Sequence, residues 1–380
     1  MNLDLRPFIP VFFWLLLFFF LLKIPLVLNE TRKEQAARSL NPARWQSISI
    51  VIPARNEERN LIRLLDSLAA QSLKPKEIIV VNDSSSDGTS GVTQKKGARL
   101  INLPPLPPGW TGKTFACFEG AKAASGDILI FLDADTVLDE GGLEALMSLY
   151  DKTCGIVSVQ PYHRMEKPYE KLSAFFNLIL FLNMNVSSCI PRLNRARGAF
   201  GPCFICSRAD YFAIGGHEAI KGEIIEDMAL ARLARKKGFK VHCYAGQGVI
   251  SFRMYSDGIG HLIEGWTKNF ATGAVKTGPW LFLVTFGWVT GAMSGPVDII
   301  KGLVSGDDFI WKTGLILYLI FSVQIYFFLR KLGNFGIFSA ILYPFNLVFF
   351  IFIFLMSIVY THLLGYVNWK GRRIKLRPDK

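Results

Sequence analysis

The chain has 380 residues, 51% of them hydrophobic, and its 43 Lys and Arg against 30 Asp and Glu give a formal charge of +13. A mean hydropathy of +0.30 is too apolar for an ordinary soluble protein and points to membrane segments around one soluble domain. The basic residues flank apolar stretches rather than interleaving with aromatics, so anionic lipid is the expected partner and nucleic acid is not. The six cysteines at 117, 154, 189, 203, 206 and 243 are scattered, which predicts reduced thiols rather than a disulfide framework. Cys203-x-x-Cys206 has no second ligand pair nearby, so ordinary buried cysteines are expected there rather than a four-ligand zinc site.

In chain order, Phe8 to Leu28 is apolar over about the 20 residues that a spanning helix needs, and no small-residue cleavage site follows. A retained anchor is predicted over 1–30. A basic linker follows over 31–46, whose Arg32, Lys33, Arg38 and Arg44 favour a cytosolic exit. From Ser47 to about Gly248, apolar runs alternate with helical patterns, which predicts an α/β domain with a mostly parallel sheet. Strands are expected at Ile48–Pro53, Glu77–Asn82, Arg99–Asn102 and Gly155–Gln160. Helices are expected at Glu58–Gln71, Thr114–Ser125 and Leu138–Asp151.

The central strand is Asp127-Ile-Leu-Ile-Phe-Leu-Asp-Ala-Asp135. In extended backbone Asp133 and Asp135 would share a face. Two like charges there repel unless a cation neutralises them. Mg²⁺ or Mn²⁺ with substrate phosphates would do so; a pair of solvated turn acids is the alternative. The other strand ends are also polar. Pro53-Ala-Arg-Asn-Glu-Glu58 opens a helix, so Arg55 and the helix amino end suit an anion, or Glu57 and Glu58 simply complement the dipole. Asp83, in Asn82-Asp-Ser-Ser-Ser-Asp-Gly88, can accept hydrogen bonds from a base or ribose, or belong to a plain polar turn. Pro104-Pro-Leu-Pro-Pro-Gly-Trp-Thr-Gly-Lys113 ends at a helix start, where backbone amides and Lys113 could hold a phosphate. No Gly-x-Gly-x-x-Gly follows a strand, which weighs against a dinucleotide oxidoreductase.

Pro-Ala-Arg-Asn-Glu-Glu, Val-Val-Asn-Asp-Ser-Ser-Ser-Asp-Gly-Thr and Phe-Leu-Asp-Ala-Asp-Thr, in that order, resemble the donor half of family 2 glycosyltransferases. The resemblance implies a GT-A fold, a nucleotide-sugar donor and Mg²⁺ or Mn²⁺. It places Pro53, Ala54, Arg55, Glu57 and Asp83 around the nucleoside, with Lys113 also on the donor side. Asp133, Ala134 and Asp135 would stand at the ribose and diphosphate, with the metal on Asp135 and Asp133. Ile224-Ile-Glu-Asp-Met-Ala-Leu230 is similar to the family's acceptor motif and implies Asp227 as general base beside Glu226; helix-capping acids are the bland alternative.

Nearly the whole chain resembles the bacterial membrane glycosyltransferases of C30 carotenoid synthesis. Pro-Pro-Gly-Trp-Thr-Gly-Lys, Ser158-Val-Gln-Pro-Tyr-His163, Ala199-Phe-Gly-Pro202, Gly215-Gly-His217 and Glu264-Gly-Trp-Thr-Lys268 carry that likeness. Hopanoid-associated glycosyltransferases share the Gly-Trp-Thr-Gly-Lys portion. The likeness implies an inverting transfer of a hexose, glucose by preference, from a UDP-sugar to a carotenoid carboxyl group. A hydroxylated lipid is the alternative acceptor. Gly201, His217 and Trp266 are the acceptor-side candidates. Two departures stand out. Trp266 lacks the preceding Gln-x-x-Arg of polymer-forming relatives, and Ile250-Ser-Phe-Arg-Met lacks the histidine that serves many relatives as a metal ligand. Arg253 or Lys268 is the candidate cation for the diphosphate, with a contact to lipid head groups as the equal alternative.

Leu172–Val186 is expected as a helix lying on the membrane surface, with an ordinary core helix as the alternative. Trp280–Val297, Phe309–Leu329 and Phe335–Tyr360 are expected spans. The domain plan is thus a catalytic domain over 47–255, a membrane-proximal segment over 256–279, spans over 280–362 and a basic cytosolic tail over 363–380. Three spans would leave that tail on the far side of the membrane from a cytosolic domain. Either Trp280–Val297 does not cross, or the last segment is broken at Pro344-Phe-Asn346. A transporter is disfavoured because the spans lack acidic relay residues. An inactive nucleotide-sugar-binding protein is disfavoured by the intact Asp133, Asp135 and Asp227.

Overall fold

The computed structural model describes residues 8–21, 23–35, 47–153, 155–223, 225–273, 279–369 and 372–375. Most of the expected linker (36–46), Cys154, Ile224 and the tail end (376–380) lie outside the described residues. The chain divides into two compact units, one of residues 25–164 with 195–253, the other of residues 1–24, 165–194 and 254–380.

The first unit is the α/β domain. Its strands are β1 (Ile48–Ala54), β2 (Glu77–Asn82), β3 (Arg99–Asn102), β4 (Ile128–Leu132), β5 (Thr136–Leu138), β6 (Ile156–Gln160), β7 (Tyr162–His163), β8 (Cys203–Ser207), β9 (Val241–Ala245) and β10 (Ile250–Phe252). Seven strands form one sheet in the order β3-β2-β1-β4-β8-β6-β9, and β5-β10-β7 form a smaller one. The large sheet is mixed and mostly parallel, because β8 runs antiparallel to both β4 and β6. The four strands expected from the sequence are present; the Ser/Gly-rich turn after β2 instead contains a helix, Thr89–Lys95.

Side-chain alternation sorts the strands into two cores. Ile128, Ile130 and Leu132 pack with Leu61, Leu65, Leu143 and Leu146 from helices Glu58–Ala69 and Gly142–Thr153. Leu129 and Phe131 pack with Ala116, Ala121, Leu230 and Ala234 from helices Gly112–Ala123 and Glu226–Lys236. Cys203 lies in the first core and Cys206 in the second. Three residues apart on a strand, they face opposite ways and cannot share a ligand, in keeping with the expected buried cysteines.

The second unit is helical. The expected anchor is not one helix. Its first part, Phe8–Leu21, is an apolar helix of 14 residues, shorter than the two C-terminal ones and a candidate membrane anchor. Pro25, which lacks an N–H and disfavours helix before it, instead accepts a backbone hydrogen bond from Ala245 at 2.8 Å. Pro279–Ser305 is a continuous 27-residue helix despite Pro296. It and Asp308–Leu332 are long and apolar enough to cross a membrane. The third expected span is interrupted at Leu342, between helices Gly336–Ile341 and Tyr343–Val359, with Pro344 in the first turn of the latter, where a missing N–H costs nothing. The break falls two residues before the one expected. Strands β11 (Tyr366–Trp369) and β12 (Arg372–Lys375) pair antiparallel.

Residues 165–194, read from the sequence as part of the catalytic domain, belong to the helical unit. Their helix is Ala174–Asn183 rather than Leu172–Val186. It does not have the exposed face of a surface-lying helix, since Phe175, Phe176, Leu178, Ile179, Phe181 and Leu182 are all buried.

Candidate active site

Because Leu129 and Phe131 face the second core, Asp133 continues onto that side of the sheet. The helix starting at Gly112 and the helix starting at Glu226 cover the same side. Their amino ends bring Lys113, Glu226 and Asp227 to Asp133. Lys113 Nζ is 2.8 Å from an Asp133 oxygen, 2.8 Å from a Glu226 oxygen and 3.9 Å from an Asp227 oxygen. The Lys113 side chain is about one-third exposed (33%), whereas Glu226 is 8% exposed.

The approach to Lys113 follows from its sequence. Trp110 packs on Phe115 and Phe118. The Thr111 and Thr114 side chains cap each other's backbone N–H, and Thr111 N donates to the Lys221 carbonyl at 3.0 Å. The Lys113 ammonium meets carboxylates. Burial works against its charge, but Asp133, Glu226 and Asp227 together hold its pKa well above the usual lysine value. Asp227 shifts the other way from a normal acid. Burial, and then the neighbouring Glu226, push its pKa well up, against the pull of Lys113.

Gly201 belongs to this cluster. A Cβ there would lie 2.0 Å from Asp227 Oδ2 and 3.1 Å from Lys113 Nζ, so any side chain would displace them. The neighbouring Pro202 carbonyl accepts the Asp133 N–H at 3.0 Å, tying this loop to the end of β4.

Asp133 and Asp135 are not on one extended strand. Thr136 N donates to the Asp133 carbonyl at 3.1 Å, closing a turn that leads into β5. The shared-face argument therefore does not apply. Asp135 is half-buried and stands beside β10, where Phe252 pairs with Thr136 and Arg253 N reaches the Asp135 carbonyl at 3.4 Å. Arg253 thus occupies the place next to Asp135 in the α/β unit, whereas Lys268 belongs to the helical unit. Among the described residues, no group of three His, Cys, Asp or Glu is set to hold a metal.

The ends of β1 and β2 form the other half of the site. Arg55 Nη1 donates to the Asp83 carbonyl at 3.2 Å and lies 3.7 Å from its buried carboxylate. Asp83 N in turn donates to the Ala54 carbonyl at 2.9 Å, one residue beyond the last register pair, Ala54–Asn82. Glu57 N donates to Thr89, and the Glu57 carboxylate is held by Asn60 at 2.6 Å. Sequence reasoning missed Asn56. It has φ of +54°, and its amide oxygen accepts the Ser86 N–H at 2.9 Å, while Ser84 has φ of +52°. Left-handed conformations outside glycine are uncommon and gather at functional loops. The enrichment of Asn in that region was the available signal.

Two acceptor-side candidates, His217 and Trp266, are buried among packed side chains. His217 is 3% exposed and its Nδ1 is 2.8 Å from the Tyr211 hydroxyl. Burial depresses its pKa to about 4 even though Glu226 acts to raise it, so it is a neutral ring behind the acid cluster. Trp266 is 2% exposed in the helical unit. It stacks on Phe176 at 4.6 Å and donates to Ser173 Oγ at 3.0 Å.

A mostly parallel sheet ending in Asp-x-Asp, with acids from a covering helix beside it, defines a GT-A glycosyltransferase. A mannosyltransferase of Pyrobaculum calidifontis, solved with GDP-Man and Mn²⁺, has the same fold: TM-score 0.53 at 14% identity, over 94% of this chain and 96% of that one. Residues 49–208 match the profile for glycosyl transferase family 2. The 4,4'-diaponeurosporenoate glycosyltransferases of Staphylococcus aureus strains MRSA252 and NCTC 8325 are 34% identical over 359 residues, covering 93% of this chain and 95% of theirs. The chain belongs to glycosyl transferase family 2 and is a glycosyltransferase.

Proposed function

We propose that the protein transfers a hexose, glucose by preference, from a UDP-sugar to a C30 carotenoid carboxylic acid at a membrane. The observation that carries this reading is the reach of the staphylococcal likeness. At 93% of the chain it includes the helical unit as well as the α/β unit. The two long apolar helices fit a multi-pass membrane protein, with the α/β unit in the cytosol, where nucleotide sugars are made.

Pro53, Ala54, Arg55, Glu57 and Asp83 hold the nucleoside. The Arg55–Asp83 contact pre-arranges the carboxylate that accepts its hydrogen bonds. Asp135, with Asp133 and the intervening Ala134, faces the ribose and diphosphate. The half-buried Asp135 and the partly exposed Asp133 are hard oxygen donors. Two carboxylates with phosphate oxygens suit Mg²⁺ or Mn²⁺. When bound, the metal neutralises charge on the departing diphosphate. Lys113 adds a second positive charge beside Asp133. Glu226 and Asp227 receive the acceptor.

The test is UDP release by the purified protein in detergent, given UDP-glucose and Mn²⁺. One arm contains a carotenoid carboxylic acid and the other a hydroxylated lipid, such as a hydroxy-carotenoid, diacylglycerol or hopanoid. Turnover with the acid is expected; turnover with the hydroxylated lipid alone would replace the acceptor and make Asp227 a general base. Asp135→Ala is expected to abolish Mn²⁺-dependent UDP binding by calorimetry. Unchanged affinity would remove Asp135 from the metal site.

A further inference from the structure

The two long helices of the helical unit, Pro279–Ser305 and Asp308–Leu332, pack as an antiparallel pair. Their backbones meet where glycine removes the Cβ: Gly302 lies against Trp311, and Gly295 against Tyr318 and Gly314. Further along, Trp288 Nε1 donates to Gln324 Oε1 at 2.8 Å. The tip of the pair is therefore at Ser305–Asp307, and Pro279 and Leu332 lie at its open end. Just past Leu332, the Asn334 side chain accepts the Met165 N–H at 2.7 Å and donates to the Met165 carbonyl at 3.0 Å. Met165 is the residue at which the chain enters the helical unit after Arg164 of the α/β unit.

Beyond Asn334 the chain runs back alongside the pair and stops halfway. Tyr318 Oη donates to the Ile341 carbonyl, Tyr343 Oη donates to the Ala292 carbonyl at 2.7 Å, and the two tyrosine rings stack 5.4 Å apart. About 20 Å of helix separates Ala292 from Pro279 and Tyr318 from Leu332, and about 15–20 Å separates each from the tip. The turn at Leu342 thus stands near the middle of the pair. Tyr343–Val359 has 17 residues, about 25 Å of helix, which is enough to return to the open end. Its contacts run that way. Phe350 packs on Phe176 and Phe270, and Phe354 packs on Phe270. Phe270 lies on helix Ile259–Gly273, which ends shortly before Pro279 in the chain.

The turn is also finished for a dry setting. Where a helix ends, its last carbonyls lose their partners, and within a bilayer only protein groups can replace them. Side chains do so here: Asn346 Nδ2 donates to the Ser339 carbonyl at 3.1 Å and Tyr318 caps Ile341. Around these capped carbonyls Phe338, Phe345, Val348 and Phe352 are exposed by half or more.

We propose that Gly336–Val359 is a re-entrant hairpin whose exposed side chains dock among the acyl chains of one leaflet, entering and leaving on the side of the membrane that holds the catalytic unit. The inference rests on the membrane reading above and not on the choice of donor or acceptor. With Pro279–Ser305 and Asp308–Leu332 as the two crossings beside it, residues 360–380 come back to the cytosolic side. Their six Lys and Arg against one Asp then follow the positive-inside rule. A third full crossing would place that charge outside.

The experiment uses the full-length protein in bacterial membranes and a membrane-impermeant maleimide, applied to intact spheroplasts and to inside-out vesicles. Ser305→Cys at the tip, Phe345→Cys beside the turn and Lys375→Cys in the tail are compared with wild type, whose own cysteines set the background. Calorimetric UDP binding checks that each variant is folded. Ser305→Cys is expected to label in spheroplasts and Lys375→Cys only in vesicles. Phe345→Cys should stay at background in both, although Phe345 is 72% exposed on the protein, because lipid alone shields it. Labelling of Lys375→Cys in spheroplasts reveals a third crossing and overturns the inference. Labelling of Phe345→Cys in vesicles puts the turn in water and overturns it equally. Should Lys375→Cys misfold or stay unlabelled in both preparations, alkaline phosphatase fused after Lys380 decides: inactive enzyme is expected, and active enzyme, which requires export, overturns the inference. Ser305→Cys that labels only in vesicles, in a protein that alkaline carbonate extracts, removes the membrane reading itself and the inference with it.

Discussion

The two units bury apolar side chains alike but present opposite surfaces. In the α/β unit, the large apolar side chains left exposed among the described residues are Ile62, Leu106 and Phe212, each just over one-third exposed. In the helical unit, Phe286, Ile316, Val323, Phe345 and many others are exposed by half or more. A surface of that kind is stable where the solvent is also apolar. One averaged hydropathy therefore describes neither unit. The difference also separates roles. Polar chemistry gathers at strand ends and helix amino ends in the α/β unit, whereas aromatic packing dominates the helical one.

Each side of that contrast can be broken. Trp266→Ala is expected to have the largest effect. It removes the Phe176 stack and the Ser173 hydrogen bond, costing about 3–5 kcal/mol. Thermal unfolding in detergent measures it, and Trp266→Phe should restore most of the stability. If Trp266→Ala left stability unchanged but raised the acceptor KM, Trp266 would return to the acceptor site.

Phe286→Lys or Ile316→Lys comes next. A lysine in the middle of a spanning helix costs about 3 kcal/mol of insertion, so the membrane-bound fraction should fall. Leu106→Lys, on the α/β surface, should change stability by less than about 0.5 kcal/mol. Equal tolerance at both places would end the membrane assignment of those helices.

The α/β core has a pH limit of its own. His217 has its pKa depressed from 6.5 to about 4 when folded. Above pH 6.5 both folded and unfolded forms are neutral, and its contribution is intact. As the pH falls from 6.5 to 4, the unfolded state takes the proton first and up to about 3 kcal/mol is lost. The slope of stability against pH in that window should flatten in His217→Gln. A wild-type slope unchanged by the substitution would assign the pH dependence to other groups.

The smallest expected effect is at Gly201. Its Cβ position overlaps Asp227 Oδ2, so Gly201→Ala should lower kcat about tenfold, which is about 1.4 kcal/mol. UDP affinity should stay the same. A variant of normal kcat would show that the cluster tolerates displacement.

Much of the donor half was legible before the fold. Short apolar strands ending in Asn, Asp or Arg announce themselves by local composition. β2 and β3 fell at the expected residues, and β1 extended one residue further. Asp133 and the Glu226-Asp227 pair were visible for the same reason, since strand ends and helix starts are local signals. What locality could not supply was partnership. Lys113 looked like a phosphate ligand at a helix start, but its three acids come from two other elements. That His217 and Trp266 are buried was not legible either, because both residue types serve chemistry and packing alike and burial is a property of the whole fold.

By itself, the sequence determined the α/β class, the apolar segments and the acids that end the central strand, because each is written in residues near one another along the chain. The tertiary structure decided the rest. It broke the N-terminal segment at Pro25, gave 165–194 to the helical unit and set Asp135 in a turn. It also brought Lys113, Glu226, Asp227 and Gly201 together. Those outcomes depend on which face of the sheet each helix covers and how closely backbones approach, and both are settled only when distant segments pack.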